Sequence, residues 1–343
     1  MINVKRRLFM EPTKNEWEER AVLNPTVIKD NKGTEHMFYR AVSKDMISSI
    51  GYAKITNGKI KRFDKPILTP TKKWEKMGVE DPRITKIGNT YYLLYIAFDG
   101  KNARVAYAIS NNLKDWEKKG IISPSIGVKK SRRLVKIKRY RDKWKHQEIY
   151  GEKVCLWDKD AILFPEKING KFVMLHRLLP DIQIVKFKDF SELQKGDFWI
   201  NYVSNLGNTA NTVSLHRRYD WESEHIGGGA VPIKTKKGWL LIYHGVKLED
   251  TGPIKRSIAR TLYKIQGTFH IFKNKRLPFV YHAGAALIDL KNPGIEYGRL
   301  KEPLFSPEHE WEKEGDVNKV VFPEGATIKG DKLKIYYGCS DSR

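Results

Sequence analysis

The sequence predicts an all-β fold, a five-bladed β-propeller. A short hydrophobic strand ending in an aromatic residue or His recurs five times: Met37-Phe38-Tyr39-Arg40, Tyr92-Leu93-Leu94-Tyr95, Phe172-Val173-Met174-Leu175-His176-Arg177, Trp239-Leu240-Leu241-Ile242-Tyr243-His244 and Leu333-Lys334-Ile335-Tyr336-Tyr337. Each is preceded by a similar lead-in: Asn24-Pro25-Thr26-Val27-Ile28, Asp81-Pro82-Arg83-Ile84, Lys159-Asp160-Ala161-Ile162-Leu163, Gly229-Ala230-Val231-Pro232-Ile233 and Phe322-Pro323-Glu324-Gly325-Ala326-Thr327. A further internal match pairs Pro66-Ile67-Leu68-Thr69-Pro70, Trp74-Glu75-Lys76 and Gly78 with Pro303-Leu304-Phe305-Ser306-Pro307, Trp311-Glu312-Lys313 and Gly315, each identical residue offset by 237. Recurrence on this scale marks a repeat architecture. Radially repeated sheets need no covering helices, and the chain offers almost no amphipathic helical stretch.

Each lead-in is expected as the innermost strand of a blade, with the aromatic strand next outward. The two matched Pro-to-Gly segments end one blade and enter the next. Between blades two and three an insertion at about 124–155 interrupts the pattern. Within it, Lys129 to Lys145 holds ten Lys or Arg against one acid, Asp142, with Leu134, Val135, Ile137, Tyr140 and Trp144 interleaved. Such a stretch fits a solvated insertion, with a β-hairpin on Val135, Ile137 and Arg139, or a surface for nucleic acid, an anionic surface or a polyanionic sugar.

At 343 residues the chain is long enough for two domains, but the five lead-ins span Asn24 to Thr327 and leave no room for a second. One domain, 1–343, is expected. Hydrophobic residues at 40% and aromatic residues at 11% suit a β protein with a sizeable core. The amino terminus has basic residues but no apolar run of signal-peptide length, and no segment reaches about 18 uncharged apolar residues, so a cytoplasmic, non-membrane protein is expected. Cys155 and Cys339 are far apart and outside any metal-type spacing, which reads as reduced thiols in the core. The net charge of +24 permits anionic partners, and lysine excess also accompanies solubility or a hot habitat.

A propeller builds its site where the innermost strands begin, around the central channel. The lead-ins bring polar residues there: Asn24, Glu80-Asp81-Pro82-Arg83, Lys159-Asp160, His225 before Gly227-Gly228-Gly229, and Asp316 with Asn318. No His-Glu-x-x-His, Cys-x-x-Cys or Gly-x-Ser-x-Gly occurs, so zinc-protease and serine-hydrolase chemistry has no support. The Gly227–Gly229 run leads into a strand, whereas a phosphate-cradling glycine loop opens a helix. It suits close backbone approach near the axis.

Around Val79-Glu80-Asp81-Pro82-Arg83 the chain resembles glycoside hydrolase family 130, the β-mannoside phosphorylases and related mannosidases. The resemblance extends over Asn24-Pro25, Gly78 to Ile84, Asp160 to Lys171, His176-Arg177, Ile226 to Gly229, Gly238 to Gly245, Gly284 to Leu287 and Gly315-Asp316-Val317. It implies inversion at a β-mannosidic bond, with Asp81 as general acid protonating the leaving oxygen through a mannose hydroxyl. The bland alternative is an Asp81 that merely caps the Pro82 turn. By family position the phosphate-binding set is Arg40, Lys159, Arg177, His244 and His225, and the substrate-binding set is Asn24, Glu80, Arg83, Asp160, Tyr243 and Asp316. Tyr39, Tyr243, Trp74 and Trp311 are candidates for stacking on sugar, the two Trp residues also for packing between blades.

Phosphorolysis and hydrolysis differ on the face opposite the acid. Phosphate, already an anion, needs a basic cage and no general base. A hydrolase needs a second carboxylate about 6.5 to 9.5 Å from the first. Several cations around one small site are costly unless an anion joins them, which favours a phosphorylase yielding α-mannose 1-phosphate, with inorganic phosphate as co-substrate and no cofactor or metal. Two departures from the family pattern keep an inverting β-mannosidase open. Ser49 stands where Arg is usual and His225 where Lys is usual, and nearby Glu224 is the alternative general base. A third function class is a non-catalytic propeller binding anionic polymer through Lys129 to Lys145, although nucleic acid is not the expected partner. Family members usually continue past the last tyrosine-rich strand, so blade five is closed either by Leu8-Phe9-Met10 or left with an edge that invites pairing or a homo-oligomer.

Overall fold

The recurring sequence units fold as recurring antiparallel sheets in a computed structural model that describes residues 3–207, 212–249 and 279–342. The first unit contains β1 (Ala21–Lys29), β2 (Glu35–Val42), β3 (Ser48–Thr56) and β4 (Lys59–Arg62), and the second contains β5 (Gly78–Ile87), β6 (Thr90–Phe98), β7 (Ala103–Ser110) and β8 (Glu117–Ile121). One parallel pair, Ser48 with Gly78, joins them. The third is β9 (Lys159–Leu163), β10 (Phe172–Arg177), β11 (Ile182–Phe187) and β12 (Val213–Leu215). In the fourth, β13 (His225–Gly228) and β14 (Ile233–Thr235) both pair with β15 (Gly238–Leu248), followed by β16 (Phe279–Ile288) and β17 (Glu296–Arg299). Finally β18 (Val321–Lys329) pairs with β19 (Lys332–Cys339). The first strands of successive units pack in the order β1, β5, β9, β13, and β18 packs on both β15 and β1, so the series closes on itself.

Local chemistry sets these strands. Asn57-Gly58 and Asn169-Gly170 both take positive φ, the turn geometry that matches the twist of the strands they join. The aromatic strands pair directly with the lead-ins, as the repeat predicts. The fourth lead-in departs from expectation. Its inner strand begins at His225 and stops at Gly228, and most of Gly229–Ile233 is the gap before β14, because Pro232 has no N–H for the ladder.

A Trp-acid pair precedes the inner strand in each unit, and the acid grips the ring at the end of the aromatic strand. Glu18, Glu75, Glu222 and Glu312 are fully buried and accept from the hydroxyls of Tyr39 (2.7 Å), Tyr95 (3.1 Å), Tyr243 (2.6 Å) and Tyr337 (2.6 Å). Each also meets a cation: Arg62, Lys118, Arg299 and Arg6 respectively. In the third unit Trp157-Asp158 takes this place, with Asp158 2.8 Å from His176 Nδ1. Burying these carboxylates is tolerable because each is paired and hydrogen-bonded.

The segment between β8 and β9 corrects two expectations. Instead of a hairpin it forms α1 (Val128–Leu134), α2 (Lys138–Trp144) and a 3-10 turn, Lys145–Tyr150. It is also not merely solvated: Val128, Val135, Tyr140 and Trp144 are buried in the core beside Trp199, Tyr202 and Val203. The buried positions fall at helical spacing, Val128, Ser131 and Val135, then Tyr140 and Trp144, which outweighs the alternation of Val135, Ile137 and Arg139. Further helices, α3 (Phe190–Leu193) and α4 (Gly196–Ser204), lie between β11 and β12. Lys129 pairs with Glu152, Arg132 with Glu148, and Lys143 with Glu224. Lys129, Lys130, Arg133, Lys136, Lys138, Arg141 and Lys145 face solvent.

The N-terminal segment lies against the last unit without adding a strand. Phe9 meets the Tyr336 ring edge-on at 5.6 Å, and Arg6 donates to the Ser306 carbonyl at 2.7 Å and reaches Glu312. Tyr336 in turn donates to Glu35 of β2 at 2.6 Å, tying the last unit to the first.

Candidate active site

Bulges or register shifts near the start of four inner strands mark where their polar side chains stand. The ladder skips at Leu23/Thr26, Glu80/Arg83 and Pro323/Gly325, and β9 pairs irregularly with β10 beside Asp160. Asn24, Asp81 and Asp160 occupy the left-handed region there, with φ of 52°, 52° and 55°. Asn and Asp tolerate this conformation better than other non-glycine residues, which explains the residue types at these bulges.

Asp81 is 7% exposed and its Oδ1 accepts from Asn24 Nδ2 at 2.7 Å and from Arg40 Nη1 at 3.4 Å. Arg40 Nη2 also binds Glu80 Oε1 at 2.8 Å, and its Nε donates to Ser48 Oγ at 3.0 Å. Glu80 thus orients Arg40. Burial pushes the Asp81 carboxyl up, but Arg40, Lys159, the Asn24 hydrogen bond and Arg83 outweigh it and hold it below the usual aspartate range.

A second cluster gathers around Asp160. Its Oδ2 lies 3.0 Å from Arg177 Nε and 3.7 Å from His244 Nε2, and Arg177 Nη1 is 3.3 Å from that imidazole nitrogen. Burial raises the Asp160 pKa against the pull of Arg177 and Arg83. His244 is fully buried, and burial with the Arg177 charge pushes its pKa well below the ordinary value, so it is neutral at neutral pH. His225 is shifted the same way by burial, Arg177 and Lys143, its ring centroid 6.2 Å from that of His244. The side chain of Glu224 accepts from Lys143 Nζ at 2.8 Å, so α2 reaches this side of the site. Glycine is required here: a Cβ on Gly227 would run into both Asp160 and His244.

Six sequence candidates are engaged in other contacts. Tyr243 is fully buried, stacked on Trp221, with its hydroxyl committed to Glu222, so it presents no face to a sugar, and Tyr39 is spent the same way on Glu18. Arg83 is 1% exposed, runs beneath the bulges and meets Glu324 at 2.5 Å. Asp316 is exposed at the rim, held by Arg20 Nη2 at 3.0 and 2.9 Å. Trp74 packs against the core and Trp311 stacks on His309 at 4.3 Å.

Two carboxylates escaped the sequence reading. Asp341 follows β19, and its burial, opposed by Arg40 and Lys159 and reinforced by Asp81 and Asp316, pushes its pKa up to about 6. It lies beyond the last recurring strand, so no repeat signal marks it. Glu324 occupies in β18 the bulge position of Asn24 and Asp81, and aligning the lead-ins would have found it. Among the described residues no group of three or more His, Cys, Asp or Glu is placed to hold a metal ion, and no helix is long and apolar enough to cross a membrane.

The sequence model of glycoside hydrolase family 130, described as β-1,4-mannooligosaccharide phosphorylase, matches residues 3–253 and 267–343. A 1,2-β-oligomannan phosphorylase from Thermoanaerobacter sp. strain X514 is 36% identical over 357 residues, covering 100% of this chain and 95% of its own. A β-1,2-mannobiose phosphorylase from the same organism is 34% identical over 352 residues, covering 97% and 92%. The solved β-1,2-mannobiose phosphorylase from Listeria innocua shares the fold, with a TM-score of 0.63 and 23% identity over 94% of this chain and 87% of that one.

Proposed function

The chain belongs to glycoside hydrolase family 130, and we propose that it is an inverting phosphorylase that converts a β-mannoside and inorganic phosphate to α-mannose 1-phosphate and a shortened sugar. The observation that carries this is the pairing of two clusters: Asp81 held by Asn24 and Arg40, and Arg177 with His244 and Lys159 gathered about Asp160. Asp81 is the general acid. A phosphate oxygen attacks the anomeric carbon as the bond to the leaving oxygen breaks, and the Asp81 proton passes to that oxygen through a mannose hydroxyl. An acid of this kind contributes about 10²- to 10⁴-fold.

The resting site favours ionised Asp81. Phosphate entering beside Arg177 and Lys159 offsets the cations that hold it so, and raises its pKa toward the protonated form the reaction needs. Phosphate binding therefore loads the acid. Arg177 and Arg40 supply charge-assisted hydrogen bonds to phosphate, with Lys159 and neutral His244 and His225 completing the cage. Asn24, Glu80 and Asp160 serve the mannose hydroxyls, with Asp316 at the rim. Glu224, engaged by Lys143, would have to leave that pair to act as a base on water.

The five sheet units are read as blades of one five-bladed propeller spanning the chain, with α1 and α2 in an insertion between the second and third. A cytoplasmic setting suits a reaction whose charged product is retained by membranes. The two relatives matched through nearly their whole length make β-1,2-linked mannosides the first substrates to try. Incubation of β-1,2-mannobiose with and without phosphate, with analysis for mannose 1-phosphate, tests the reading. Turnover that requires phosphate is expected, and free mannose as the sole product in phosphate buffer would overturn it.

A further inference from the structure

We propose that Glu324 is a positioning residue for the acid, acting through Arg83 to fix the backbone on which Asp81 is mounted. The proposal rests on Asp81 being the acid. Arg83 leaves β5 two residues after Asp81 and turns inward, and its Nε donates to the Gly229 carbonyl at 2.7 Å. Nη1 donates to the carbonyls of Asp81 at 3.3 Å and Pro82 at 3.4 Å, and Nη2 to that of Gly228 at 3.5 Å. Nη1 also meets Glu324 Oε2 of β18 at 2.5 Å. One guanidinium therefore joins backbone from the second and fourth units to a carboxylate from the fifth.

The charges explain why both partners are needed. Arg83 and Glu324 are 1% and 0% exposed, and the buried guanidinium acts on three acids, Asp81, Asp160 and Glu324. Glu324 is the carboxyl that meets it side chain to side chain. Around it stand Arg83, Asp81 and Asp160, and burial pushes its pKa well up against the pull of Arg83. Around Asp81 stand Arg40, Lys159 and Arg83. The carbonyls that Arg83 grips belong to the left-handed Asp81 and to the Pro82 that follows it. Such a conformation costs on the order of 1–3 kcal/mol and persists where the surroundings over-determine it, which these hydrogen bonds do. The Glu324 carboxyl meets Arg83, and Arg83 in turn holds the Asp81 and Pro82 carbonyls. Its effect is on where the Asp81 proton sits, and misplacement by about 1 Å can cost about 10²-fold.

The test compares leaving groups. Misaligning an acid slows departure of a sugar, which needs the proton, far more than departure of a dinitrophenolate, which does not. Glu324→Gln is expected to lower kcat for phosphorolysis of β-1,2-mannobiose by about 10- to 10²-fold, with KM for the mannoside within about threefold, while turnover of a 2,4-dinitrophenyl β-mannoside falls by no more than a few fold. The double variant Arg83→Met with Glu324→Leu removes both charges together, avoids stranding either, and is expected to show the same selective loss. Equal losses on both leaving groups, or failure of both variants to fold, would overturn the positioning role. The acid assignment is judged separately: Asp81→Asn turning over mannobiose at the wild-type rate overturns that assignment and this inference with it.

Discussion

Asn24 Nδ2 lies 2.7 Å from Asp81 Oδ1, and the two residues hold the same left-handed bulge position in neighbouring inner strands. The repeat thus places the same backbone kink twice, once with an amide and once with a carboxyl, and brings the two side chains into contact. A hydrogen bond from one unit orients the carboxylate of the next, leaving Asp81 Oδ2 outside that contact.

Asp81→Asn preserves the shape of the side chain and removes the transferable proton. Phosphorolysis of mannobiose is expected to fall by at least about 10²-fold. Arg40 keeps its bond to Glu80, so the melting temperature moves by only a few degrees. Steady-state kinetics and calorimetry on the same preparation check both.

Arg177→Ala is expected to raise KM for phosphate more than KM for mannoside, because a lost charge-assisted bond is worth about 1.5 to 3 kcal/mol and acts on one ligand. His244→Ala moves it in the same direction and by less, the imidazole being neutral in the resting site. Equal effects on both substrates would place these residues in blade organisation rather than in the phosphate cage.

Burial pushes the Asp341 pKa up from an ordinary 3.8 to about 6, against the pull of Arg40 and Lys159. With the folded pKa raised, the native state binds the proton more tightly than the unfolded chain, so its stabilising contribution is present below 3.8 and is lost as pH rises through about 6. Asp341→Asn removes the carboxylate penalty. Its melting temperature is expected to exceed that of the wild type at pH 8 and to approach it at pH 3.5, and the reverse trend would place the carboxylate in a stabilising pair instead.

Tyr243→Phe takes one hydrogen bond from the buried Glu222 and leaves Arg299 in place. A stability loss of about 1 to 3 kcal/mol is expected, with kcat and both KM values within about twofold. A kinetic effect limited to mannoside would return Tyr243 to the sugar site.

The sequence by itself determined the pairing of four lead-ins with their aromatic strands, the Asn-Gly turns, and the polar residues Asn24, Asp81 and Asp160 at the lead-ins. These are local properties, written in strand alternation, turn chemistry and recurrence. It also held the helical spacing of Val128, Ser131 and Val135, masked by the charge run around them. Tertiary structure alone decided which tyrosines are spent inside the fold. Tyr243 and Tyr39 end aromatic strands just where a sugar could be met, yet Glu222 and Glu18, each 21 residues upstream, take their hydroxyls. It also decided that Arg83 points beneath the site to Glu324, 241 residues away, and that Asp341 from the end of the chain reaches the charges of Arg40 and Asp81. Burial and charge pairing depend on what closing the ring of units brings together, and no local pattern records which distant residue supplies the partner.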